Sequence, residues 1–396
     1  MSDNEAPART SAERLALIRR EIEKVDSALL GLLGSRAELS REVGRIKSGE
    51  PGIIFKPLRE REVLDRLVGL KPASLPEEHL RSIWREILSS SRALQRPQNV
   101  AYLGPEGTFS YFAGVEYLGH SADFHPCRNI HQIFEEVHSG GCELGVVPLE
   151  NSLQGTVGVS FDLFLRFEVF IQAELFSRIS HCFLSHAPSL ANVKVIYSHP
   201  QPLAQCGGWL RAHVPDAALV PVESTAAAAC RAAEDDASAA IGHVKLADLH
   251  GLNVLARRIE DTPNNWTRFV IIGPKSTAQD TFVAPGTGRP ADKTSVIFTL
   301  PDKSGALSSV LDLLAENRIN MRKLESRPLW GQAWKYVFFA DVECDLRQPR
   351  YEPLVEKLHE TCHSFRILGS YAAGPELDRM TIDSEADAET DRRIER

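Results

Sequence analysis

Long apolar runs, paired cysteines and an excess of positive charge are all missing from this chain of 396 residues. No uninterrupted apolar stretch approaches the roughly 20 residues needed to span a bilayer, and the opening MSDNEAPARTSAER has no apolar signal core. Export and membrane anchoring are therefore not expected. The seven cysteines are scattered, with no Cys-x-x-Cys and no Cys/His cluster, so neither a disulfide framework nor a zinc site organises the fold. A reducing cytoplasm suits such a chain. With 45 basic and 53 acidic residues and a net charge of -8, a nucleic-acid surface is disfavoured, although local basic pockets for small anions are not. The length allows two or three domains, and 43% hydrophobic with 25% charged residues is ordinary for soluble globular ones.

Three segments differ in pattern. Residues 11–96 read as helix throughout. After QRPQNV, residues 99–274 alternate short β-type runs (VAYLG, CELGVVPLEN, VKVIYSHP, WTRFVIIG) with helical ones, which predicts an α/β domain. A Pro/Gly/Thr-rich linker, PKSTAQDTFVAPGTGRPAD, leads to residues 293–373, whose βαββαβ order predicts a ferredoxin-like α+β unit. Residues 374–396 are charged and poor in apolar side chains, the composition of a disordered tail.

In the first segment Leu15, Ile18, Ile22, Val25, Leu29, Leu32, Arg36, Leu39, Val43 and Ile46 follow a 3,4 alternation: a helical seam with one charged member. An unpartnered buried guanidinium is costly, so an anion is expected to meet Arg36. Arg19 and Lys47 edge the same face. A later helix repeats the pattern with Leu80, Trp84, Ile87, Ser91 and Leu94, putting Ser91 in an apolar slot with Gln95 four residues on. A helix begun by Pro57 places Glu60 on its Leu64/Leu67 face beside Arg59. Two readings stay open on pattern alone: a dimerisation module whose polar seam residues set register, or an anion-binding core.

The stretch LIRREIEKVDSALLGLLGSRAELSREVGRIK with the following PLRERE resembles the all-helical chorismate mutases, which are intertwined dimers. The resemblance implies a site of Arg19 (reaching into the partner's site), Arg36, Lys47, Arg59, Glu60, Ser91 and Gln95. Arginines would grip the two carboxylates of chorismate, while Lys47 and Gln95 would donate to the ether oxygen as its bond breaks. Lys56 departs from the family, standing where an acidic residue is expected near the substrate hydroxyl.

In the second segment small polar clusters follow β-type runs: GPEGTFS, ENSLQGTV, SHPQPLAQC, ESTAAA and NNWTRF. Singly they read as turns or helix caps; together they could converge at the carboxyl ends of the strands of one sheet. Their order resembles that of prephenate dehydratases, a family of two-lobed, periplasmic-binding-protein-like fold. The resemblance implies Thr267 as the essential hydroxyl, with substrate contacts from Asn151, Ser198, Gln205 and Thr225. Arg268, one residue further along a strand, should face the opposite way from Thr267. The chemistry calls for no metal or organic cofactor.

The third segment, with Gly305, Ala306, Leu307 and the run Glu325, Ser326, Arg327, Pro328, resembles phenylalanine-responsive ACT domains, which implies that these residues bind L-phenylalanine as an effector. The resemblances together imply a cytoplasmic homo-oligomer, a dimer or larger, that turns chorismate into prephenate and prephenate into phenylpyruvate under phenylalanine feedback. The alternatives are a dehydratase whose helical domain serves only dimerisation, and a non-catalytic amino-acid sensor.

Overall fold

The computed structural model describes residues 10–47, 54–275, 292–329 and 335–377. The linker expected over 274–292 and the tail expected from 374 therefore lie largely outside the described residues.

The helical domain consists of α1 (Ser11–Lys47), α2 (Pro57–Leu70) and α3 (Glu77–Gln95). A reciprocal capping box starts α1: the Glu13 amide donates to Thr10 Oγ1 at 3.3 Å, and the Thr10 amide donates to Glu13 Oε2 at 2.8 Å. Pro57 opens α2, where its missing N–H costs nothing. Of the whole 37-residue α1 only Ser40 is buried. Its C-terminal turns pack on α3, close enough at Gly44 that a Cβ would sit 2.9 Å from Gln95 Cα. The apolar seam nearer its N-terminus, Leu15 through Leu32, is exposed.

The second domain has two lobes. The first begins with β1 (Asn99–Leu103), α4 (Phe109–Leu118), β2 (Asp123–Cys127), α5 (Ile130–Ser139), β3 (Leu144–Asn151), β4 (Gly155–Thr156), α6 (Gly158–Arg166) and β5 (Phe170–Arg178). The chain then crosses to a lobe of β6 (Cys182–Ser185), β7 (Val195–Ser198), α7 (Pro200–Gln205), α8 (Gly207–His213), β8 (Ala218–Pro221), α9 (Thr225–Ala232), β9 (Ser238–Gly242), α10 (Lys245–His250) and β10 (Asn253–Ala256). It returns as β11 (Trp266–Gly273), inserted antiparallel between β3 and β5. The two crossing segments brace each other: the Ile179 amide donates to Asn265 O at 2.8 Å, and that of Ile259 to His181 O at 3.0 Å. β11 is buried from Thr267 to Gly273, which explains its unbroken apolar run Phe269–Ile272.

The C-terminal domain contains β12 (Lys293–Thr299), α11 (Ala306–Glu316), β13 (Met321–Pro328), β14 (Tyr336–Val342), α12 (Glu352–Thr361) and β15 (Ser364–Tyr371). Its sheet order β13-β14-β12-β15 is that of a ferredoxin-like fold. Residues 374–377 continue from it as an ordered segment. A last strand, β16 (Glu376–Leu377), pairs parallel with β5, anchored by the Gly374 amide on Glu174 Oε1 at 3.2 Å and by Pro375 O accepting from the Phe176 amide at 3.0 Å. This domain lies directly on the first lobe: a Cβ at Gly369 would collide with the Ile171 carbonyl of β5, so only glycine permits that approach.

Candidate functional site

The helical domain encloses a cavity of about 310 Å³ bounded by α1, α2 and α3. Arg36, Lys47, Arg59, Glu60, Ser91 and Gln95 line it, together with Lys56 and Arg92. Arg36 is half-buried; its Nη1 donates to Ser91 Oγ and, at 3.3 Å, to Ile87 O. Burial lowers the guanidinium's pKa from its ordinary value, but arginine stays charged throughout the physiological range. Ser91 Oγ in turn donates to Ile87 O at 2.8 Å, so the polar residue in the apolar seam is satisfied locally and still faces the cavity. Gln95 is held by its amide on Ser91 O at 3.0 Å. Arg19 does not line the cavity; 17 residues before Arg36 on the same helix, it lies about 25 Å up the axis.

Six of the seven residues expected in this site thus meet in one pocket, and Lys56 joins them. Arg92 was not anticipated from the pattern: it falls beside the seam, and its partners come from other segments. The Arg92 Nη1 donates to both oxygens of Glu60, at 2.5 and 2.6 Å.

In the two-lobed domain the decisive register is Thr267 opposite Asn151. The antiparallel insertion of β11 brings its first residues beside the carboxyl end of β3, so NNWTRF and ENSLQGTV become one cluster. Asn151 Nδ2 donates to Thr267 Oγ1 at 3.0 Å, to Asn265 Oδ1 at 2.7 Å and to Trp266 O at 3.2 Å. Asn151 Oδ1 accepts the amides of Leu153 and Gln154 at 3.1 and 3.0 Å, and these bonds settle which end of the carboxamide is which. With its oxygen accepting from Asn151, Thr267 keeps its own hydroxyl proton available for an acceptor outside the protein.

Arg268 points the other way, as strand alternation requires. Its Nε donates to Glu174 Oε2 at 2.8 Å, Nη1 to Asp341 Oδ2 at 2.6 Å and Nη2 to the Tyr371 hydroxyl at 3.1 Å. Asp341 and Tyr371 belong to the C-terminal domain, and Lys293 adds a second cation on Glu174 at 2.9 Å. Burial alone would raise the Asp341 carboxyl, but Arg268 and Lys293 hold it below the ordinary value. Removing one member of such a buried set leaves uncompensated charge, at a cost of roughly 3–5 kcal/mol.

The second lobe contributes differently from expectation. Ser198 ends β7 fully buried, its hydroxyl donating to Ile241 O at 2.8 Å. Thr225 opens α9 behind its N-cap Ser224. Gln205 Oε1 contacts His181 Nε2 at 2.9 Å. His181, on the first crossing segment, had no signal in the sequence; it is buried, and its Nδ1 has no partner. Desolvation lowers its pKa, and it shares the edge of Phe109 with His243, which burial pushes down to about 3. Both rings are therefore neutral near pH 7.

In the C-terminal domain Gly305 precedes α11 with φ +81°, a backbone that favours glycine. Ala306 is buried, and Leu307 packs on the domain core. Of the second motif, Ser326 faces outward on β13, whereas Glu325 and Arg327 face the first lobe. Glu325 Oε2 accepts from Thr156 Oγ1 at 2.9 Å, Arg327 pairs with Asp162 at 3.2 Å, and their neighbour Lys323 pairs with Glu150 at 2.8 Å.

Family models match in three consecutive blocks: chorismate mutase type II over residues 18–96, prephenate dehydratase over 100–277 and the ACT domain over 294–360. A bifunctional chorismate mutase/prephenate dehydratase of Aquifex aeolicus is 38% identical across 91% of this chain and 98% of its own length. The chain belongs to the bifunctional chorismate mutase/prephenate dehydratase family. Chorismate mutase and prephenate dehydratase are its two activities, and phenylalanine biosynthesis is their setting. Among solved structures, prephenate dehydratase from Arthrobacter aurescens in complex with L-Phe superposes with a TM-score of 0.61 at 33% identity, covering 75% of this chain and 98% of that one. A chain described as a novel type of quorum-quenching acylase gives the same TM-score at 30% identity over 70% of this chain and 98% of its own. The shared fold does not by itself decide chemistry; the relative that spans the helical domain as well does so. No helix among the described residues is long and apolar enough to cross a membrane.

Proposed function

We propose that the three-helix cavity carries the mutase step and the Thr267–Asn151 cluster the dehydratase step. The observation that supports this best is convergence. Arg36, Lys47, Arg59, Glu60, Ser91 and Gln95, from three separate helices, line one cavity walled by cations. Chorismate is a dicarboxylate whose rearrangement needs neither nucleophile nor base. Arg36 and Arg59 bind the carboxylates, Lys47 and Gln95 donate to the ether oxygen as negative charge develops there, and Glu60 accepts from the ring hydroxyl. In the second site the Thr267 hydroxyl donates a hydrogen bond to the leaving hydroxyl of prephenate as CO2 departs, relaying to it a proton that solvent supplies, and Asn151 holds the threonine oxygen in place. Gln205 and Thr225 belong to the opposite lobe, where Ser198 is fully buried and spends its hydroxyl on Ile241 O.

The exposed apolar seam of α1 is covered by a second copy of the chain, and Arg19, stranded about 25 Å from its own cavity, completes the partner's. L-phenylalanine binds at the Gly305–Leu307 turn and lowers dehydratase activity. The cytoplasm is the compartment, consistent with seven cysteines that form no disulfide.

Purified protein supplied with chorismate provides the test, following prephenate and phenylpyruvate. Arg36→Ala is expected to stop chorismate use while still converting supplied prephenate, and Thr267→Ala to accumulate prephenate. Wild-type protein that leaves chorismate untouched would overturn the mutase assignment.

A further inference from the structure

Two cations that line the mutase cavity, Lys56 and Arg92, have no task in the proposed mutase reaction, and of these Arg92 is the one whose partners are fixed. Arg92 follows Ser91 on α3, off the seam, with only 4% of its surface exposed. Both oxygens of Glu60 accept from its Nη1, at 2.5 and 2.6 Å. Its Nη2 donates to Leu118 O, the last carbonyl of α4 in the dehydratase domain. The guanidinium lies over the Phe55 ring, 5.4 Å from its centroid, and its Nε is buried with no partner. Arg92 is thus clamped between a helix end of one domain and a carboxylate of another.

Glu60 is the only carboxylate among the described residues lining the cavity, while Lys56 supplies a further cation. The ring hydroxyl of chorismate therefore has a single carboxylate available to accept its proton, and everything depends on where that carboxylate is held. A glutamate has three rotatable side-chain bonds and, unheld, would swing toward whichever cation of the wall is nearest. We propose that Arg92 is a positioning residue for the mutase reaction: it fixes the Glu60 carboxylate from behind, with the Leu118 carbonyl as its own anchor, so that the outward lone pairs of Glu60 meet the substrate hydroxyl. Arg92 does not touch substrate in this arrangement. It acts through Glu60, and the inference rests on the mutase reading given above.

The test compares Arg92→Met, Arg92→Lys, Glu60→Gln and the double variant Arg92→Met/Glu60→Gln in the full chain, measuring kcat and KM for chorismate and, in the same preparations, turnover of supplied prephenate. Arg92→Met is expected to lower mutase kcat/KM about ten- to a hundredfold, the scale of a misplaced contact group, with prephenate turnover within about twofold of wild type. Arg92→Lys keeps a charge behind Glu60 and recovers most of the loss. In the double variant Arg92→Met adds less than about twofold to the effect of Glu60→Gln, because the two residues act as one unit. Multiplying losses in the double variant, full mutase activity in Arg92→Met, or equal losses in both reactions from Arg92→Lys would each overturn the proposal. A neutral Glu60→Gln in an active mutase would overturn it by removing the role of Glu60 while leaving the family assignment intact.

Discussion

At the scale of single residues, a polar side chain in a place the local pattern reserves for apolar ones was readable. Arg36, Ser91 and Gln95 were marked by their own helices, and the cavity unites them. Thr267 and Arg268 were separated correctly by strand alternation alone, one toward Asn151 and the other toward Glu174 and Asp341. What could not be read were residues whose meaning lies wholly in non-local partners. Arg92 meets Glu60 and Leu118, and His181 meets Gln205; nothing in the flanking sequence announces any of these pairs. The two buried histidines have a measurable consequence. Burial first, then Lys245 and His181, pushes His243 down to about 3, against an ordinary value of 6.5. Between those values the unfolded chain binds a proton that the folded protein refuses. Stability is therefore complete above about pH 6.5 and falls as pH drops toward 3. Urea unfolding should show a plateau above pH 7 and a decline below 6.5, and His243→Asn, which keeps an acceptor for the Lys245 amide, should make that decline shallower relative to its own value at pH 7.5. Parallel curves for the two proteins would show that His243 does not contribute.

At the scale of elements, α1 is the one that its own chain does not explain. Thirty-seven residues extend about 55 Å, yet the chain buries only Ser40 near the end that meets α3, and even there Leu39, Val43 and Ile46 stay exposed. Leu15, Ile18, Ile22, Val25, Leu29 and Leu32 all remain at least half exposed. The heptad pattern made both the helix and its seam legible, because periodicity is a local property; it also foretold that the seam needs something to cover it. A run of exposed apolar side chains like this is characteristic of an interface, and in the proposed dimer Arg19 beside it would give the second copy a part in the chemistry. Ile22→Asp with Leu29→Asp is expected to halve the particle mass seen by light scattering and to lower mutase kcat/KM by at least about tenfold, since each cavity loses the partner's Arg19. Dehydratase turnover should survive, as Thr267 and Asn151 lie in a separate domain. A variant that keeps its mass would place the interface elsewhere. By contrast β5, which carries Glu174 and receives both β11 and β16, was not among the strands recognised, because its run FIQAELFSR mixes buried polar groups with apolar ones.

At the scale of the whole molecule, the C-terminal domain grips the first lobe beside the proposed dehydratase cluster. Strand β13 alternates inward and outward, and its inward side chains seize the end of β3 and the short strand after it: Lys323 holds Glu150 of β3 at 2.8 Å, and Glu325 holds Thr156 of β4 at 2.9 Å. Between those two grips lies Asn151, which orients Thr267. The regulatory motif was legible as a motif, but its face was not, because a strand with one polar residue after another offers no apolar side to orient it. The expected route for phenylalanine runs through these contacts: an effector that favours a shifted β13 would move the end of β3 that carries Asn151, and the population of correctly aimed Thr267 would fall. On this account Lys323 and Glu325 transmit the signal and do not bind the effector. Lys323→Ala and Glu325→Ala should therefore keep phenylalanine affinity, measured by calorimetry, within about threefold of wild type, the change expected when one partly exposed contact is lost. Inhibition at saturating phenylalanine should become incomplete, with residual dehydratase activity several times that of wild type. Basal turnover without phenylalanine reports on the same contact from the other side, since a loosened end of β3 lowers it only as far as Asn151 depends on its neighbours. If Glu325→Ala abolishes phenylalanine binding itself, the residue belongs to the effector pocket, and the route through Thr156 is not the one the protein uses.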